Sequence, residues 1–266
     1  MFSQALMASA TVIEVRDLRT EYGPMCIHDG LDLTVRRGEI LGLCGGSGSG
    51  KTTLLREMNL LVRPSAGKVE VLGIDVLSAA EDALTPLRRR IGVMFQRGAL
   101  FSALTVKQNV AVPLNEHTDL PARLIDELAL LKIALAGLAP GAASLYPREL
   151  SGGMSKRAAV ARALALDPEI LFLDEPTAGL DPVSAEAFDA LIVQLKCSLD
   201  LTVVLVTHDL DTLWRVTDRV AFLAAKRVAA CAPIAELPRH PHPEIQAYFT
   251  GPRGRAVAQA AGWTRA

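Results

Sequence analysis

The run Gly45-Gly46-Ser47-Gly48-Ser49-Gly50-Lys51-Thr52 fits the pattern GxxxxGK[ST]. Its glycines let backbone N–H groups point inward around phosphate oxygens, and a helix starting at its end adds the partial positive charge of an N-terminus. On this reading Lys51 reaches the β- and γ-phosphates of a nucleoside triphosphate, Thr52 offers its hydroxyl to Mg²⁺, and Thr53 belongs to the same nucleotide-contacting stretch. A plain Gly/Ser turn would share the composition, but a chance match in a chain of this length is on the order of 1% from average residue frequencies. A second chemical feature lies downstream, where the apolar run Ile170–Leu173 ends in Asp174-Glu175. Asp174 is suited to hold Mg²⁺ through water, and Glu175 to polarise an attacking water. Two acids also end many strands as solvent-facing caps, so it is the phosphate loop that gives this pair its meaning.

These residues need elements to position them. Glu39–Cys44 is a short apolar run stopped by glycines, which suits a buried parallel strand entering the phosphate loop. A helix is expected from Gly50 to about Leu61, ended by Pro64. Thr11–Leu18 and Leu31–Val35 alternate apolar and polar residues as half-buried strands, and Lys68–Val71, Ile91–Phe95, Ile170–Leu173 and Val203–Val206 read as further strands. From about 98 to 150 Leu and Ala dominate, β-branched runs are scarce, and Pro113, Pro121 and Pro140 punctuate, which predicts a helical insert. Helices are expected over about Gly152–Leu166 and Val183–Lys196; in the second, Phe188, Leu191, Ile192 and Leu195 form one apolar stripe. The fold class is α/β.

Composition narrows the function. The chain has 266 residues, half of them hydrophobic, and a formal net charge of -1. That excludes global disorder and gives no basic balance for nucleic-acid binding. Four scattered cysteines without a CxxC pair argue against a disulfide framework or zinc site and for a reducing compartment. No stretch reaches the roughly 18 uninterrupted apolar residues of a membrane span. Met1–Ala10 lacks the basic start of a signal peptide. A membrane role therefore requires a partner. His240 and His242 sit among prolines near the C-terminal end and read as surface histidines rather than metal ligands; His28 and His117 match no motif.

Leu150-Ser151-Gly152-Gly153-Met154 resembles the LSGGQ signature of ATP-binding cassette (ABC) ATPases. The resemblance extends along the chain. Tyr22-Gly23 is similar to that family's A-loop, whose aromatic ring stacks on adenine; Gln96 to its Q-loop glutamine, which senses Mg²⁺ and the γ-phosphate; Gly179-Leu180-Asp181 to its D-loop; and His208 to its switch histidine. The resemblance implies a P-loop ABC ATPase domain over 11–251, with a mixed α/β nucleotide-binding core (11–97 and 151–235), an inserted helical subdomain (about 98–150) and a C-terminal tail (252–266). It further implies ATP and Mg²⁺, and a homodimer in which Ser151, Gly152 and Gly153 of one copy cover the γ-phosphate bound by the other. Met154 departs from the usual glutamine, which removes a polar side chain and leaves the glycine N–H donors.

The stretch Phe95-Gln96-Arg97-Gly98-Ala99-Leu100-Phe101, with Thr105-Val106, Asn109-Val110, Pro113-Leu114 and Glu116-His117-Thr118, is similar to the ATPase subunit of Mla-type (MCE-associated) phospholipid transporters. That resemblance implies a permease dimer and an MCE-domain protein as partners, attachment to the cytoplasmic face of the inner membrane, and contact with lipid only through the complex. It also implies that Ala99, Leu100 and Phe101 border the groove for the permease's coupling helix, with at least one of them an exposed apolar anchor. An importer ATPase for polar amino acids or another solute is the nearby alternative. A soluble ABC ATPase acting on nucleic acid is disfavoured by the single phosphate loop and the lack of sustained heptads. Tyr248, Phe249 and Trp263 are candidate anchors onto a partner subunit from an otherwise mobile end.

Overall fold

The computed structural model describes residues 10–96 and 98–251. They form two compact units: the described residues up to Ala80 together with those from Val204 onward, and Glu81–Val203.

The first unit opens with β1 (Thr11–Tyr22) and β2 (Met25–Arg36), an antiparallel pair. Both are longer than their alternation suggests because the ladder slips at bulges, one between Val15 and Leu18. Next come β3 (Ile40–Gly45), α1 (Lys51–Met58), β4 (Ala66–Val71) and β5 (Ile74–Asp75). Strands β1, β2, β4 and β5 make one sheet in the order β2-β1-β4-β5. Every residue of β3 is buried, as befits a parallel strand covered on both faces. Helix α1 stops short of Pro64: Asn59 caps it and Leu60 turns left-handed at φ 64.

The second unit contains α2 (Glu81–Arg89), β6 (Ile91–Met94), α3 (Val106–His117), α4 (Ala122–Leu135), two 3-10 turns (Pro140–Ser144 and Pro147–Glu149), α5 (Gly152–Ala163), β7 (Ile170–Asp174) and α6 (Pro182–Leu199). Strands β6 and β7 run parallel, Ile91 beside Ile170. Val110, Leu114, Ile125, Ala129 and Ile133 of α3 and α4 pack with Ala158 and Ala161 of α5 in one apolar cluster. Thr105 starts α3 with a reciprocal capping box to Gln108. The stripe Phe188, Leu191, Ile192 and Leu195 is buried along α6.

β8 (Thr202–Val206) carries the chain back to the first unit, which ends with α7 (Leu210–Val216), β9 (Arg219–Ala224), β10 (Arg227–Ala232) and α8 (Pro243–Thr250). β9 runs parallel to β3, and β10 pairs antiparallel with β9. The aromatic residues Tyr248 and Phe249 of α8 pack on their own unit. Phe249 is buried and Tyr248 lies edge-on to Phe222 of β9 with ring centroids 5.3 Å apart, so both serve this unit's own core. Trp263 and the proposed tail 252–266 lie outside the described residues. No helix among the described residues is long and apolar enough to cross a membrane.

Candidate functional site

In the first unit the phosphate loop leaves the buried end of β3. Gly45, at φ 142, faces Leu223 of β9; a Cβ there would come within 2.3 Å of the Leu223 carbonyl oxygen, so only glycine lets the strand end this close to its neighbour. Added Cβ atoms at Gly46 and Gly48 would meet nothing within 4 Å, so that side of the loop is open. Across the loop the Lys51 ammonium donates to the carbonyl oxygens of Gly45 (3.0 Å) and Gly46 (2.8 Å) and to Ser49 Oγ (3.4 Å). A cation is thus held at the mouth of a backbone ring. Helix α1 begins at Lys51 with no side chain capping it and no acid in its first turn. Its leading N–H groups, in the stretch that holds Thr52 and Thr53, therefore have no anionic side chain of their own. Loop, lysine and helix end together present backbone donors and a cation beside an open glycine face, chemistry that suits an anionic ligand such as a polyphosphate.

Two further residues singled out by the sequence lie in this unit. Tyr22 ends β1 opposite Met25 and is 49% exposed, with its ring available for stacking. His208 is exposed just after Thr207, whose N–H reaches the Leu43 carbonyl oxygen at 3.4 Å, which ties it to the strand leading into the loop.

Beneath the loop lies a buried polar group that sequence reading passed over. A Cβ on Gly50 (φ 94) would stand 2.4 Å from His28 Cε1 and 2.9 Å from Ile27 Cγ2, so β2 supports the start of α1 directly. His28 and Glu57 are both fully buried, with Nε2 and Oε2 3.8 Å apart, and Thr20 Oγ1 donates to Glu57 Oε1 at 2.5 Å. Burial pulls the His28 pKa down to about 4, against a hydrogen bond to the Gly50 backbone. Burial pushes Glu57 up to about 7, against its hydrogen bond with Thr20.

The second unit carries Gln96, Ser151, Gly152, Gly153, Asp174, Glu175 and Asp181. Asp174 is buried at the end of β7, and Glu175 follows in left-handed backbone at φ 48. Gln96 is exposed just beyond β6, the strand paired with β7, so both chemically marked residues leave the same edge of a parallel pair. Ser151 caps α5, its Oγ accepting from the Met154 N–H at 3.2 Å. An added Cβ at Gly153 would meet nothing within 4 Å, so the N-terminal turn of α5 is open on that side. Met154 packs against the apolar cluster of α3 and α4, which accounts for an apolar residue in place of glutamine. Asp181 caps α6 by accepting from the Ser184 N–H at 3.0 Å; hydrogen bonding with the Ser184 side chain first, and with its N–H second, holds the carboxyl below the usual range.

An open cleft of about 410 Å³ starts at Phe95, beside Gln96, and is lined by Ala99, Phe101, Pro113, His117 and Arg162. Arg162 of α5 donates to the carbonyl oxygens of Ala99 (2.7 Å) and Gly98 (2.9 Å), and its guanidinium lies 5.8 Å from the Phe101 ring centroid. Leu100 packs into the helical cluster, whereas Phe101 is 52% exposed.

The family profile described as ABC transporter matches residues 28–178. The chain is 39% identical over 242 residues to the intermembrane phospholipid transport system ATP-binding protein MlaF of Escherichia coli (strain K12), covering 91% of this chain and 90% of that protein. It is 40% identical over 237 residues to the methionine import ATP-binding protein MetN of Brucella abortus (strain 2308), covering 89% of this chain and 64% of that one. Among solved structures, a dimeric ATP-binding cassette in a post-hydrolysis state bound to ADP and Pi superposes with a TM-score of 0.76 at 30% identity, over 84% of this chain and 98% of that chain.

Proposed function

The chain belongs to the ABC transporter family and is an ATP-binding, ATP-hydrolysing subunit; from that premise we propose that two copies close around two ATP molecules to drive a membrane permease that moves phospholipid between the inner and outer membranes. Resemblance over nine tenths of both chains to a phospholipid-transport ATP-binding protein carries the cargo. The second reading, an amino-acid importer, has the similarity to the methionine import protein in its favour, although this chain spans only 64% of that protein. Copurification separates the two: an MCE-domain protein supports the first, and a periplasmic solute receptor the second.

The residues divide the work. Lys51 and the N–H groups from Gly45 to Thr53 bind the phosphates, and Tyr22 stacks on adenine. Thr52, Gln96 and Asp174 each carry an oxygen donor of the kind Mg²⁺ takes (a hydroxyl, an amide and a carboxylate), and the ion, when bound, would neutralise charge on the phosphate oxygens. Glu175 accepts the proton of the attacking water as the water oxygen bonds to the γ-phosphorus and the bond from that phosphorus to the β–γ bridging oxygen breaks, giving ADP and phosphate, while His208 donates toward the γ-phosphoryl oxygens. Ser151 with the Gly152 and Gly153 N–H groups covers the γ-phosphate held by the second copy, and Asp181 lies at that junction. Loss of the shared phosphoryl group then loosens the dimer. The cleft at Phe101 and the helices over about 98–150 receive the permease on the cytoplasmic face of the inner membrane, where the chain is peripheral. The open N-terminal turn at Ser151 supports this arrangement, because one phosphate loop encloses only one side of a nucleotide.

Glu175→Gln tests the core of the reading. Turnover is expected to fall by about 100-fold or more, the scale of a lost general base, while ATP stays bound and the protein elutes as a dimer in gel filtration. Full turnover in this variant would remove Glu175 from its role.

A further inference from the structure

Helix α5 contains a lysine that none of the roles above uses. Lys156 is buried, two residues beyond Met154, yet its ammonium is satisfied: Nζ donates to the Gln96 carbonyl oxygen at 2.6 Å and to the Glu175 carbonyl oxygen at 3.1 Å. The Glu175 oxygen also accepts from the Ala178 N–H at 3.3 Å. Burial lowers the Lys156 pKa, with the charges of Glu175 and Asp174 opposing that fall. An ammonium is expensive to bury, and an apolar side chain of the same length would fill the space without that cost. The position therefore rewards a donor aimed at two particular carbonyls. Both belong to residues whose side chains do chemistry in the proposed reaction, and one of them, Glu175, holds a left-handed backbone that costs a non-glycine residue conformational energy. The same helix begins at Ser151, so a single rigid element connects the phosphate-covering turn to the main chain of Gln96 and Glu175.

We propose that Lys156 is a positioning residue: it locks the Glu175 and Gln96 main chains to helix α5, so that the carboxylate and the amide are aimed correctly only when that helix is engaged. The inference rests on the roles given above to Glu175 and Gln96. It separates binding from turnover, because the two hydrogen bonds of Lys156 go to Gln96 and Glu175 and neither goes to the loop Gly45–Thr53.

The test uses the full chain with Lys156→Met, Lys156→Arg and Lys156→Gln. ATP affinity is read with a fluorescent ATP analogue, folding by thermal midpoint, and turnover as kcat and KM. In Lys156→Met kcat is expected to fall about 10- to 100-fold, the range for a misplaced catalytic group, with KM and analogue affinity within about twofold of the parent. Lys156→Arg, which keeps charged donors, is expected to recover most of kcat. Unchanged kcat in Lys156→Met overturns the proposal. So does a loss of kcat matched by an equal loss of folded, analogue-binding protein, or an arginine variant no better than the methionine one. If Lys156→Met does not fold, Lys156→Gln decides on the same criteria. Glu175→Gln run alongside separates the two failures. Retained turnover there sinks the role of Glu175, whereas lost turnover there with full turnover in Lys156→Met sinks only the role of Lys156.

Discussion

The buried pair beneath the phosphate loop makes an unusual pH signature. His28 titrates at about 4 in the folded chain against an ordinary 6.5, and Glu57 at about 7 against 4.5. Below pH 6.5 the unfolded chain protonates its histidine while the folded chain refuses the proton down to about 4, so His28 costs stability as pH falls through that window. Above pH 4.5 the unfolded chain releases the glutamate proton while the folded chain keeps it up to about 7, so Glu57 costs stability as pH rises through that window. Each gap is about 2.5 pH units, which at about 1.4 kcal/mol per unit gives about 3 kcal/mol. In the intact pair the two slopes cancel between 4.5 and 6.5, because each state holds one proton, on Glu57 when folded and on His28 when unfolded. Single substitutions should expose the slopes separately. Relative to the parent, Glu57→Gln should lose about 3 kcal/mol as pH falls from 7 to 4.5, and His28→Phe about 3 kcal/mol as pH rises from 4 to 6.5. Urea midpoints at half-unit pH intervals, each subtracted from the parent, give two difference curves. Curves of opposite sign are the expected result; parallel or flat curves would refute opposed desolvation at this site.

Gly50→Ala places a methyl group against the His28 ring at a left-handed position, and strain plus overpacking should lower stability by about 2 to 6 kcal/mol in denaturant unfolding; a loss below about 1 kcal/mol would mean that the ring yields. Asn109→Ala removes a buried amide that accepts from the Phe101 N–H at 2.8 Å and donates to the Phe101, Leu104 and Thr105 carbonyl oxygens. It should cost about 1–3 kcal/mol for the orphaned groups and speed amide exchange across 101–105, whereas unchanged exchange there would show that another group holds the loop.

Which residues could be read in advance follows from where their information resides. The roles proposed for the phosphate loop, Ser151–Gly153, Asp174 and Glu175 rest on main-chain N–H groups or strand ends, and both are properties of a short window: glycines at fixed offsets, or an apolar run that stops in acids. His28 was not legible because its face depends on a bulge. Counting back from Val35, Leu33 and Leu31, strict alternation turns Asp29 inward and His28 outward. Gly30, at φ 71, shifts the phase by one residue, and His28 becomes the buried one. The ladder with β1 slips near the same place, between Leu18 and Arg19, and again between Thr20 and Glu21.

Lys156 was illegible for the opposite reason, too little contrast rather than a shifted phase. Ala158, Ala159, Val160 and Ala161 are all fully buried, so this turn of α5 is apolar around its circumference and no stripe tells which direction a lysine takes. Only the pairing of β6 with β7, which brings Met94 beside Leu173, sets the ends of those strands side by side where one ammonium can span both. The same contrast separates the two kinds of site residue. Groups that meet ATP are encoded locally, since backbone donors and a lysine suffice to recognise phosphate. Groups proposed to decide when the site is correctly arranged are encoded in tertiary register, and for those a charged residue buried next to a wholly buried apolar turn is the physical signal to look for.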